Sequence, residues 1–459
     1  MARTSRLAIS LVSIRKTKPK GISPARLTAF EVLRGVEKGG FSSTLLASTE
    51  PQLEPLDRAL CHELVMGVLR WQLYLDKVVE HFSGRTANSL DAPVRLALRL
   101  GLYQLRFLSR IPASAAVNES VNLVQHARLS SARTFVNAVL RRATREPEYD
   151  PAANISDSLE RISVATSHPG WLIKRWSDSF GNEETEALAK ANNEPPPIAF
   201  RVIRANAEQS ALLTKLSGEG AGLESSDIAA GAWRVTGATK AVRELVERGQ
   251  IYIQDEASQL VAQLLDVQKG DRILDVCAAP GGKTTLIADR AGNDGFVVAS
   301  DLSTSRILTL ANTVERQQLK NTSFVVVDAE QSLPFQQGYF DRVLVDAPCS
   351  GTGTLRGNPE IRWRLSPADF SLQAKRQLRI LRNAAQVLRP GGRLIYSTCS
   401  VEREENEDVV IEFLDNAPEF RSVQVDSALA TSSGFVRTSP QRDNTDGFFV
   451  AMLEKLDAL

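Results

Sequence analysis

Apolar residues recur at helical spacing throughout the first third of the chain. Ser23 and Pro24 are typical of a helix cap and a first helical position, and the apolar repeat that follows continues to Gly39 and Gly40. Stretches with the same periodicity predict helices at 57–82, 92–108, 113–129 and 132–144. Residues 22–147 are therefore predicted to form an all-α domain with its own core.

The polar faces of these helices are rich in arginine. They carry Arg95, Arg99, Arg106, Arg110, Arg128, Arg133, Arg141, Arg142 and Arg145. A guanidinium group offers a planar fork of donors that suits phosphate, so an RNA-binding face is one interpretation. A solvated face with scattered salt bridges is the other, and periodicity does not separate the two.

The pattern changes to mixed helix and strand after a short polar segment. Residues 148–160 contain proline and polar side chains and are predicted to form a linker. Residues 161–250 begin with a helix around Trp171 and Trp176 and are predicted to form a small α+β subdomain that binds RNA. Strands are predicted at 198–204, 233–235 and 251–253. Candidates for nucleic-acid contact, or for a structural role, are Arg201, Arg204 and Lys240.

Residues 251–459 alternate strand, loop and helix. Strands are predicted at 272–276, 296–300, 323–327, 342–345 and 393–396, with a closing pair at 420–425 and 447–453. This alternation indicates a doubly wound, mostly parallel sheet of seven strands, a Rossmann-like α/β fold. In such sheets ligands bind beyond the carboxyl ends of the strands, so residues at those ends are candidate site residues.

Length and composition fit this division and restrict the chemistry. A chain of 459 residues is expected to form two or three domains, and a net charge of +1 gives no global reason to bind a polyanion. Residues 1–21 nevertheless carry six basic residues and no acid, which is either an arm for phosphates or a tail without a role. The early apolar run at 7–12 is too short for a bilayer span, and the four cysteines lack C-x-x-C spacing. We expect a cytoplasmic monomer without a membrane span, a disulfide framework or a bound metal.

The loop after the first strand of the large sheet predicts a ligand without a pyrophosphate. It reads Asp275-Val-Cys-Ala-Ala-Pro-Gly-Gly-Lys-Thr-Thr, whose small residues allow a ligand close to the backbone. A phosphate loop requires glycine where Cys277 stands, and the Gly-x-Gly-x-x-Gly pattern of dinucleotide folds is absent. Asp301, Asp328 and Asp346 close the next three strands. A lone aspartate is more often a helix cap, but together these acids suit a nucleoside such as S-adenosylmethionine.

Two cysteines stand at neighbouring strand ends. Cys349 follows the fourth strand and Cys399 ends the fifth, whereas all four histidines lie upstream of residue 251, which disfavours a Cys/His hydrolase. A thiolate can instead attack C6 of a pyrimidine, after which C5 is electron-rich enough to take a methyl group from a sulfonium donor. One cysteine would attack and a second group would help the elimination. Residue types leave open which cysteine does which.

Several motifs resemble those of a known family. They are Cys277-Ala-Ala-Pro-Gly-Gly-Lys, Asp346-Ala-Pro-Cys-Ser-Gly-Thr-Gly, Asn358-Pro-Glu-Ile-Arg-Trp, and Tyr396-Ser-Thr-Cys-Ser followed by Glu404-Glu-Asn-Glu. They resemble the RNA cytosine-5 methyltransferases of the nucleolar-protein/Sun group. In the helical region, Pro24-Ala-Arg-Leu-Thr-Ala-Phe-Glu-Val-Leu and Phe135-Val-Asn-Ala-Val-Leu-Arg-Arg resemble the NusB fold, a helical RNA-binding domain. The combination is similar to bacterial members of the group that act on small-subunit ribosomal RNA.

The resemblance implies a role for each motif residue. The methyl donor S-adenosylmethionine is implied to lie against Cys277, Ala278, Ala279, Pro280, Gly281, Gly282, Lys283, Asp301, Asp328 and Asp346. Cys399 is implied to be the nucleophile and Cys349 to assist product release, whereas DNA cytosine methylases attack with the cysteine of the Pro-Cys motif. Asp346 is also implied to bond the target base, which must be unstacked to enter the pocket. The implied partner is 16S ribosomal RNA or an assembling small subunit.

Two other functions compete with this one. A NusB-like RNA-binding, antitermination or ribosome-assembly factor without catalysis is the main alternative, and the intact strand-end acids and paired cysteines argue against it. An amino-group methyltransferase is expected to carry Asn/Asp-Pro-Pro-Tyr at the fourth strand. Asp346-Ala-Pro-Cys stands there instead, and amino-group transfer needs no cysteine.

Overall fold

The computed structural model describes residues 21–203, 209–425 and 428–457. The chain divides into two compact units, one ending at Ile173 and the other beginning at Lys174. The basic side chains of the predicted N-terminal arm lie outside the described residues, as does Arg204. No helix in the described part of the chain is long and apolar enough to cross a membrane.

The first unit is helical over its described residues, which confirms the prediction of an all-α region. Its helices are α1 (Pro24–Glu37), α2 (Ser42–Thr49), α3 (Pro55–Arg70), α4 (Gln72–Ser83), α5 (Ala92–Phe107), α6 (Ala113–His126), α7 (Arg133–Arg145) and α8 (Ser158–Thr166); α9 (Gly170–Phe180) crosses the unit boundary. Phe30, Leu33, Leu64 and Leu75 are buried in the core of this unit. Each such side chain stabilises the fold by roughly 1.5–3 kcal/mol through burial.

The single helix predicted over 57–82 is wrong, because the chain forms α3 and α4 with a break at Trp71. The backbone of Trp71 has φ −100° and ψ 20°, outside the helical region, and its ring stacks on Phe107 with the centroids 4.8 Å apart. A break of one residue hardly alters the apolar periodicity, so the pattern does not reveal it. The short helix α2 was not predicted either.

The predicted arginine face is used in two different ways. Arg99 is 4% exposed and donates to both carboxylate oxygens of Asp76 at 2.7 Å, and Arg95 pairs with Glu37 at 3.0 Å. These two side chains therefore hold the helices together. The arginines of α7 are exposed, namely Arg133, Arg141, Arg142 and Arg145. The phosphate-binding interpretation is thus best supported for α7.

The second unit contains a small antiparallel sheet. Its strands are β1 (Ile198–Val202), β2 (Gly222–Ser225), β3 (Ala232–Thr236) and β4 (Ile251–Ile253), in the order β2-β3-β1-β4, and α10 (Asn182–Ala191), α11 (Gln209–Gly218) and α12 (Thr239–Glu247) lie in the same region. Phe200, Leu216, Leu245 and Ile251 form its core. Because β4 pairs with β1, this sheet extends past residue 250.

The rest of the second unit is a doubly wound, mostly parallel sheet, as predicted. Its strands are β5 (Arg272–Asp275), β6 (Phe296–Asp301), β7 (Thr322–Val326), β8 (Phe340–Asp346), β9 (Leu388–Thr398), β10 (Phe420–Val423), β11 (Val436–Arg437) and β12 (Phe449–Lys455). The order is β10-β12-β9-β8-β5-β6-β7, and the two-residue β11 pairs with β12. Strands β5 to β9 run parallel, whereas β10, β11 and β12 are antiparallel to their neighbours. The strand order reverses beside β5, which is where such folds bind ligands.

Helices cover both faces of this sheet. They are α13 (Glu256–Leu264), α14 (Gly282–Ala291), α15 (Thr304–Arg316), α16 (Ile361–Arg364), α17 (Pro367–Val387), α18 (Glu407–Asp415) and α19 (Pro440–Asp443). On one face Val343 and Val345 of β8 are fully buried with Leu381 of α17, and on the other Leu344 is buried with Ile287 of α14. The continuous apolar run of β8 reflects this burial on two sides.

Arg201 of β1 is buried, which favours its structural role over nucleic-acid contact. It is 4% exposed, and its guanidinium donates to Thr285 Oγ1 of α14 at 2.7 Å and to Gln317 Oε1 at 3.2 Å. Burial lowers the pKa of Arg201 to about 10. Lys240, the other described candidate, remains exposed.

Candidate active site

Carboxylates stand at the ends of four parallel strands. Asp275 ends β5, Asp301 ends β6 and Asp346 ends β8, while Asp328 lies two residues beyond the end of β7. Because parallel strands end at one edge of a sheet, these acids share the edge where ligands bind. Asp275 was part of the predicted loop but was not singled out as a site residue.

The loop between β5 and α14 forms one wall of a cavity of about 200 Å³. The loop turns at Gly281, whose φ of 107° favours glycine and where a Cβ would lie 2.6 Å from Leu310 Cδ1. The cavity is lined by Tyr252, Ile253, Gln254, Ser258, Asp275, Cys277, Ala278, Ala279, Pro280, Gly282, Lys283 and Asp346. The structure thus brings together most of the residues that the motifs predicted for the cofactor.

Asp275 fits the positively charged end of a ligand. Its Oδ2 accepts from Thr284 Oγ1 at 2.7 Å, and its buried Oδ1 has no hydrogen-bond partner among the described residues. Burial raises the pKa of Asp275 to about 7. A buried oxygen without a donor is costly, so the ammonium group of a ligand would relieve it by donating a hydrogen bond.

Asp301 and Asp328 do not line this cavity. Asp301 Oδ2 lies 3.3 Å from the backbone nitrogen of Ala279 and 3.3 Å from a guanidinium nitrogen of Arg306, so it borders the loop from outside. Asp328 is exposed and accepts from the backbone N–H of Glu330 at 3.0 Å. Contact of these two acids with a cofactor therefore stays a prediction.

An ion pair joins the first turn of α14 to the end of β8. Lys283 Nζ lies 2.7 Å from Asp346 Oδ2, and Ser397 Oγ donates to Asp346 Oδ1 at 2.8 Å. Burial is the largest single effect and lowers the pKa of Lys283. The attraction and hydrogen bond of Asp346, with negative charge on Cys399 and Asp275, together outweigh burial and raise that pKa. The ammonium also lies 4.9 Å from the ring centre of Phe448.

Cys349 and Cys399 meet at the same edge of the sheet. Their sulfur atoms are 3.1 Å apart and both side chains are partly exposed. The contact with Cys399, and then burial, raise the pKa of the Cys349 thiol well above its usual range. For Cys277, burial followed by the charges of Asp275 and other nearby carboxylates raises the pKa of the thiol, so it stays protonated. Of these three cysteines, Cys349 and Cys399 are the two whose sulfur atoms are in contact.

The wall contributed by the small sheet was not predicted. Tyr252 of β4 and Gln254 line the cavity next to the start of α14, where a Cβ on Gly282 would lie 3.1 Å from Tyr252 Cε1 and 3.3 Å from Gln254 Nε2. Periodicity placed residues 251–253 on a strand but gave no indication of what that strand contacts. In the described part of the chain, no cluster of histidine, cysteine, aspartate and glutamate is arranged to hold a metal ion.

Three family models match consecutive parts of the chain. Residues 23–145 match the NusB family, residues 168–241 match the ferredoxin-like domain of RsmF/B-like methyltransferases, and residues 262–454 match the 16S rRNA methyltransferase RsmB/F model. The matches follow the order of the helical region, the small sheet and the large sheet.

Similar proteins match over nearly the whole length. The probable ribosomal RNA small subunit methyltransferase B of Bacillus subtilis is 34% identical over 440 residues, covering 93% of this chain and 98% of the relative. Ribosomal RNA small subunit methyltransferase B of Pseudomonas putida is 35% identical over 444 residues, covering 94% and 99%. The crystal structure of the protein PH0851 is 29% identical with a TM-score of 0.83, covering 95% of this chain and 100% of that one. A methyltransferase homologue from Pyrococcus horikoshii is 27% identical with a TM-score of 0.58, covering 66% and 100%.

Proposed function

We propose that this chain, which belongs to the 16S rRNA methyltransferase RsmB/F family, methylates C5 of a cytosine in 16S ribosomal RNA through a covalent bond between Cys399 and C6 of the base. It is an S-adenosylmethionine-dependent rRNA methyltransferase, and the bound cofactor supplies the methyl group as an electrophile. The contact of the two thiols, 3.1 Å apart just beyond the ends of β8 and β9, carries the proposal. Methyl transfer to an amino group would need neither thiol.

The surroundings of the two sulfurs support Cys399 as the nucleophile. The pKa of Cys349 is raised by its contact with Cys399 and by burial, so Cys349 is expected to remain a thiol. Cys399 shares its surroundings with the Lys283 ammonium, whose own pKa responds to charge on that sulfur as well as to burial and Asp346. The thiolate is the attacking species, and the family resemblance assigns that role to Cys399.

The reaction follows from this division of roles. Cys399 Sγ forms a bond to C6, and the electron pair of the C5–C6 double bond makes C5 nucleophilic. After C5 has taken the methyl group, its remaining proton leaves to a base, the Cys399–C6 bond breaks, and the ring regains its double bond. Cys349 is in contact with the departing sulfur and is proposed to assist this elimination.

Asp346 is proposed to orient the base. Its carboxylate is already fixed by Lys283 and Ser397, faces the cavity, and keeps lone pairs free to accept from the cytosine ring or amino group. A hydrogen bond to protonated N3 would favour the electron-poor ring that accepts attack. Asp301 and Asp328 are proposed to bind the ribose and adenine of the cofactor from the rim of the loop.

The remaining regions are proposed to bind RNA. The exposed arginines of α7 are suited to phosphate. The domain borders 22–147, 148–160, 161–250 and 251–459 remain a prediction. The basic residues within 1–21 would extend the same electrostatic attraction. Free thiols and a ribosomal RNA substrate support action in the cytoplasm.

Two cysteine variants test the proposed roles. Cys399→Ala is expected to abolish methylation of 16S ribosomal RNA and to form no covalent adduct. Cys349→Ala is expected to form the Cys399–C6 bond but to release it slowly, so that a protein–RNA adduct accumulates in a denaturing gel. Cys61→Ala changes a buried thiol of the first unit and serves as the matched control.

The outcomes separate the alternatives. Methylation by Cys399→Ala, or an adduct in Cys399→Ala but not in Cys349→Ala, would refute the assignment of nucleophile. Failure of the wild-type chain to bind S-adenosylmethionine in a calorimeter would refute catalysis and support the RNA-binding alternative. Bisulfite sequencing of ribosomal RNA from cells that lack the protein would identify the cytosine by the loss of its protection.

A further inference from the structure

Glu405 lies at the base of the two cysteine loops and is fully buried. It ends the short 3-10 helix Arg403–Glu405 that follows the second cysteine loop. Its Oε1 accepts from the backbone N–H of Ser350 at 2.8 Å and from Gln377 Nε2 at 3.0 Å. Its Oε2 accepts from the hydroxyls of Ser350 and Ser400 at 2.5 Å each. The carboxylate therefore receives four donors.

These donors join the two loops that carry the thiols. Ser350 follows Cys349 directly, and Ser400 follows Cys399 directly, although the loops are separated by 50 positions in the sequence. Gln377 also donates to the backbone carbonyl of Pro348, so it supports the first loop from α17. One carboxylate thus holds the residues next to both sulfurs.

We propose that Glu405 is a positioning residue that fixes the separation of the Cys349 and Cys399 sulfur atoms by holding Ser350 and Ser400 on one carboxylate. Its consequence for catalysis rests on the proposed covalent mechanism. Attack by one thiol and elimination assisted by the other require both sulfurs beside the same base. A displacement of about 1 Å at a reacting group can reduce the rate by roughly 100-fold.

The chemistry of the site requires a carboxylate. An ionised carboxylate only accepts, and each of its oxygens here faces two donors. Burial raises the pKa of Glu405, and the hydrogen bonds from Ser350 and Ser400 oppose that rise by stabilising the charged form. A glutamine side chain would keep one accepting oxygen but would turn its N–H groups towards two of the four donor groups. Glu405→Gln should therefore preserve the arrangement only in part.

Glu402 offers a matched control within the same segment. It is also buried, but its carboxylate accepts from Arg175 and from Trp176 Nε1 of α9. Loss of its charge should destabilise the second unit without changing the bonds that link the cysteine loops. A general loosening of the domain can therefore be distinguished from a change in sulfur position.

The separation of the thiols can be measured without RNA or cofactor. The full-length protein is equilibrated in buffers of reduced and oxidised glutathione, and the Cys349–Cys399 disulfide is quantified by mass spectrometry of its peptides. Two thiols lose two electrons and two protons, and one oxidised glutathione becomes two reduced ones, so the equilibrium gives the effective concentration of the pair. The variants are Glu405→Ala, Glu405→Gln and Glu402→Gln, with circular dichroism to confirm folding.

We expect Glu405→Ala to lower the effective concentration of the thiol pair at least about tenfold and Glu405→Gln to lower it less, with Glu402→Gln unchanged. Single-turnover methylation should fall in the same order by up to roughly 100-fold, while the KM for S-adenosylmethionine stays within about twofold.

The inference would be overturned if both Glu405 variants kept the wild-type effective concentration of the thiol pair, or if Glu402→Gln lowered it equally. If Glu405→Ala does not fold, Glu405→Gln decides. A wild-type protein that holds the thiol pair but does not methylate RNA would refute the proposed function and leave the positioning role intact.

Discussion

Gly353 is packed so closely against two other backbone segments that a single added methyl group should disturb the active site. It lies in the loop after Cys349, and its backbone N–H donates to the carbonyl of Cys399 at 3.0 Å while its own carbonyl accepts from Gly447 N at 2.8 Å. A Cβ at this position would lie 1.9 Å from the carbonyl oxygen of Gly447 and 2.9 Å from that of Cys399. Gly353→Ala therefore introduces a methyl group between three backbone segments.

The size of the effect follows from these distances. Real Cβ atoms essentially never approach another heavy atom within 3.0 Å, so the backbones at 353 and 447 must separate by about 1.1 Å. That movement would break the 2.8 Å hydrogen bond, at a cost of about 1 kcal/mol, and overpacking adds about 1–3 kcal/mol. We expect a loss of about 2–4 kcal/mol of unfolding free energy in the second unit. The backbone of Cys399 is hydrogen-bonded to Gly353, so the movement should also displace the proposed nucleophile. We therefore expect turnover to fall by roughly 100-fold.

Gly357→Ala is the matched control in the same loop. A Cβ at Gly357 would have its nearest neighbour, the carbonyl oxygen of Thr354, at 3.9 Å, which is ordinary contact. We expect its urea denaturation curve and its methylation rate on 16S ribosomal RNA to match those of the wild-type protein. Equal behaviour of Gly353→Ala and Gly357→Ala in both assays would refute the reasoning.

Two further predictions concern the cofactor wall and the pH dependence of stability. Tyr252→Ala should weaken S-adenosylmethionine binding by roughly tenfold in calorimetry, because it removes an aromatic wall worth about 1–1.5 kcal/mol; an unchanged Kd would exclude Tyr252 from the site. Burial raises the pKa of Asp341, but hydrogen bonds from Arg272 and Arg389 outweigh it and lower the pKa to about 2. Because both arginines are more than a third exposed and solvent screens the pair, Asp341→Asn should lower the unfolding free energy by about 1 kcal/mol at pH 7, with the difference shrinking as the pH falls from about 4 towards 2. A difference independent of pH in urea titrations would contradict this.

The sequence was sufficient for the architecture because each region has its own period. Strands β5, β6 and β8 were predicted within two residues at each end, since their apolar runs end in acids and small residues. The break at Trp71 between α3 and α4 was missed because the apolar spacing along the sequence continues across it. Periodicity reports which side of a segment is buried and contains little information about a local change of direction.

Motif residues were predicted well where the topology alone brings them together. Cys349 lies three residues beyond β8 and Cys399 directly follows β9, and these strands are parallel neighbours, so the meeting of the two cysteines follows from the strand order. Tyr252 could not be found in this way, because it reaches the cavity from the edge of a different sheet. Glu405 belongs to the Glu404-Glu-Asn-Glu motif, but its four donors come from three separate segments of the chain.

The two cysteines show how surroundings can separate residues that are chemically identical. The two sulfurs are in contact, but they differ in their electrostatic surroundings. The pKa of Cys349 is raised by its contact with Cys399 and by burial, whereas negative charge on Cys399 is one of the causes that raise the pKa of Lys283. The same ammonium is held at 2.7 Å by Asp346, which is proposed to orient the base. If Cys399 attacks, its thiolate, the cation and the base-binding acid form one connected group, and the cofactor loop supplies the cation.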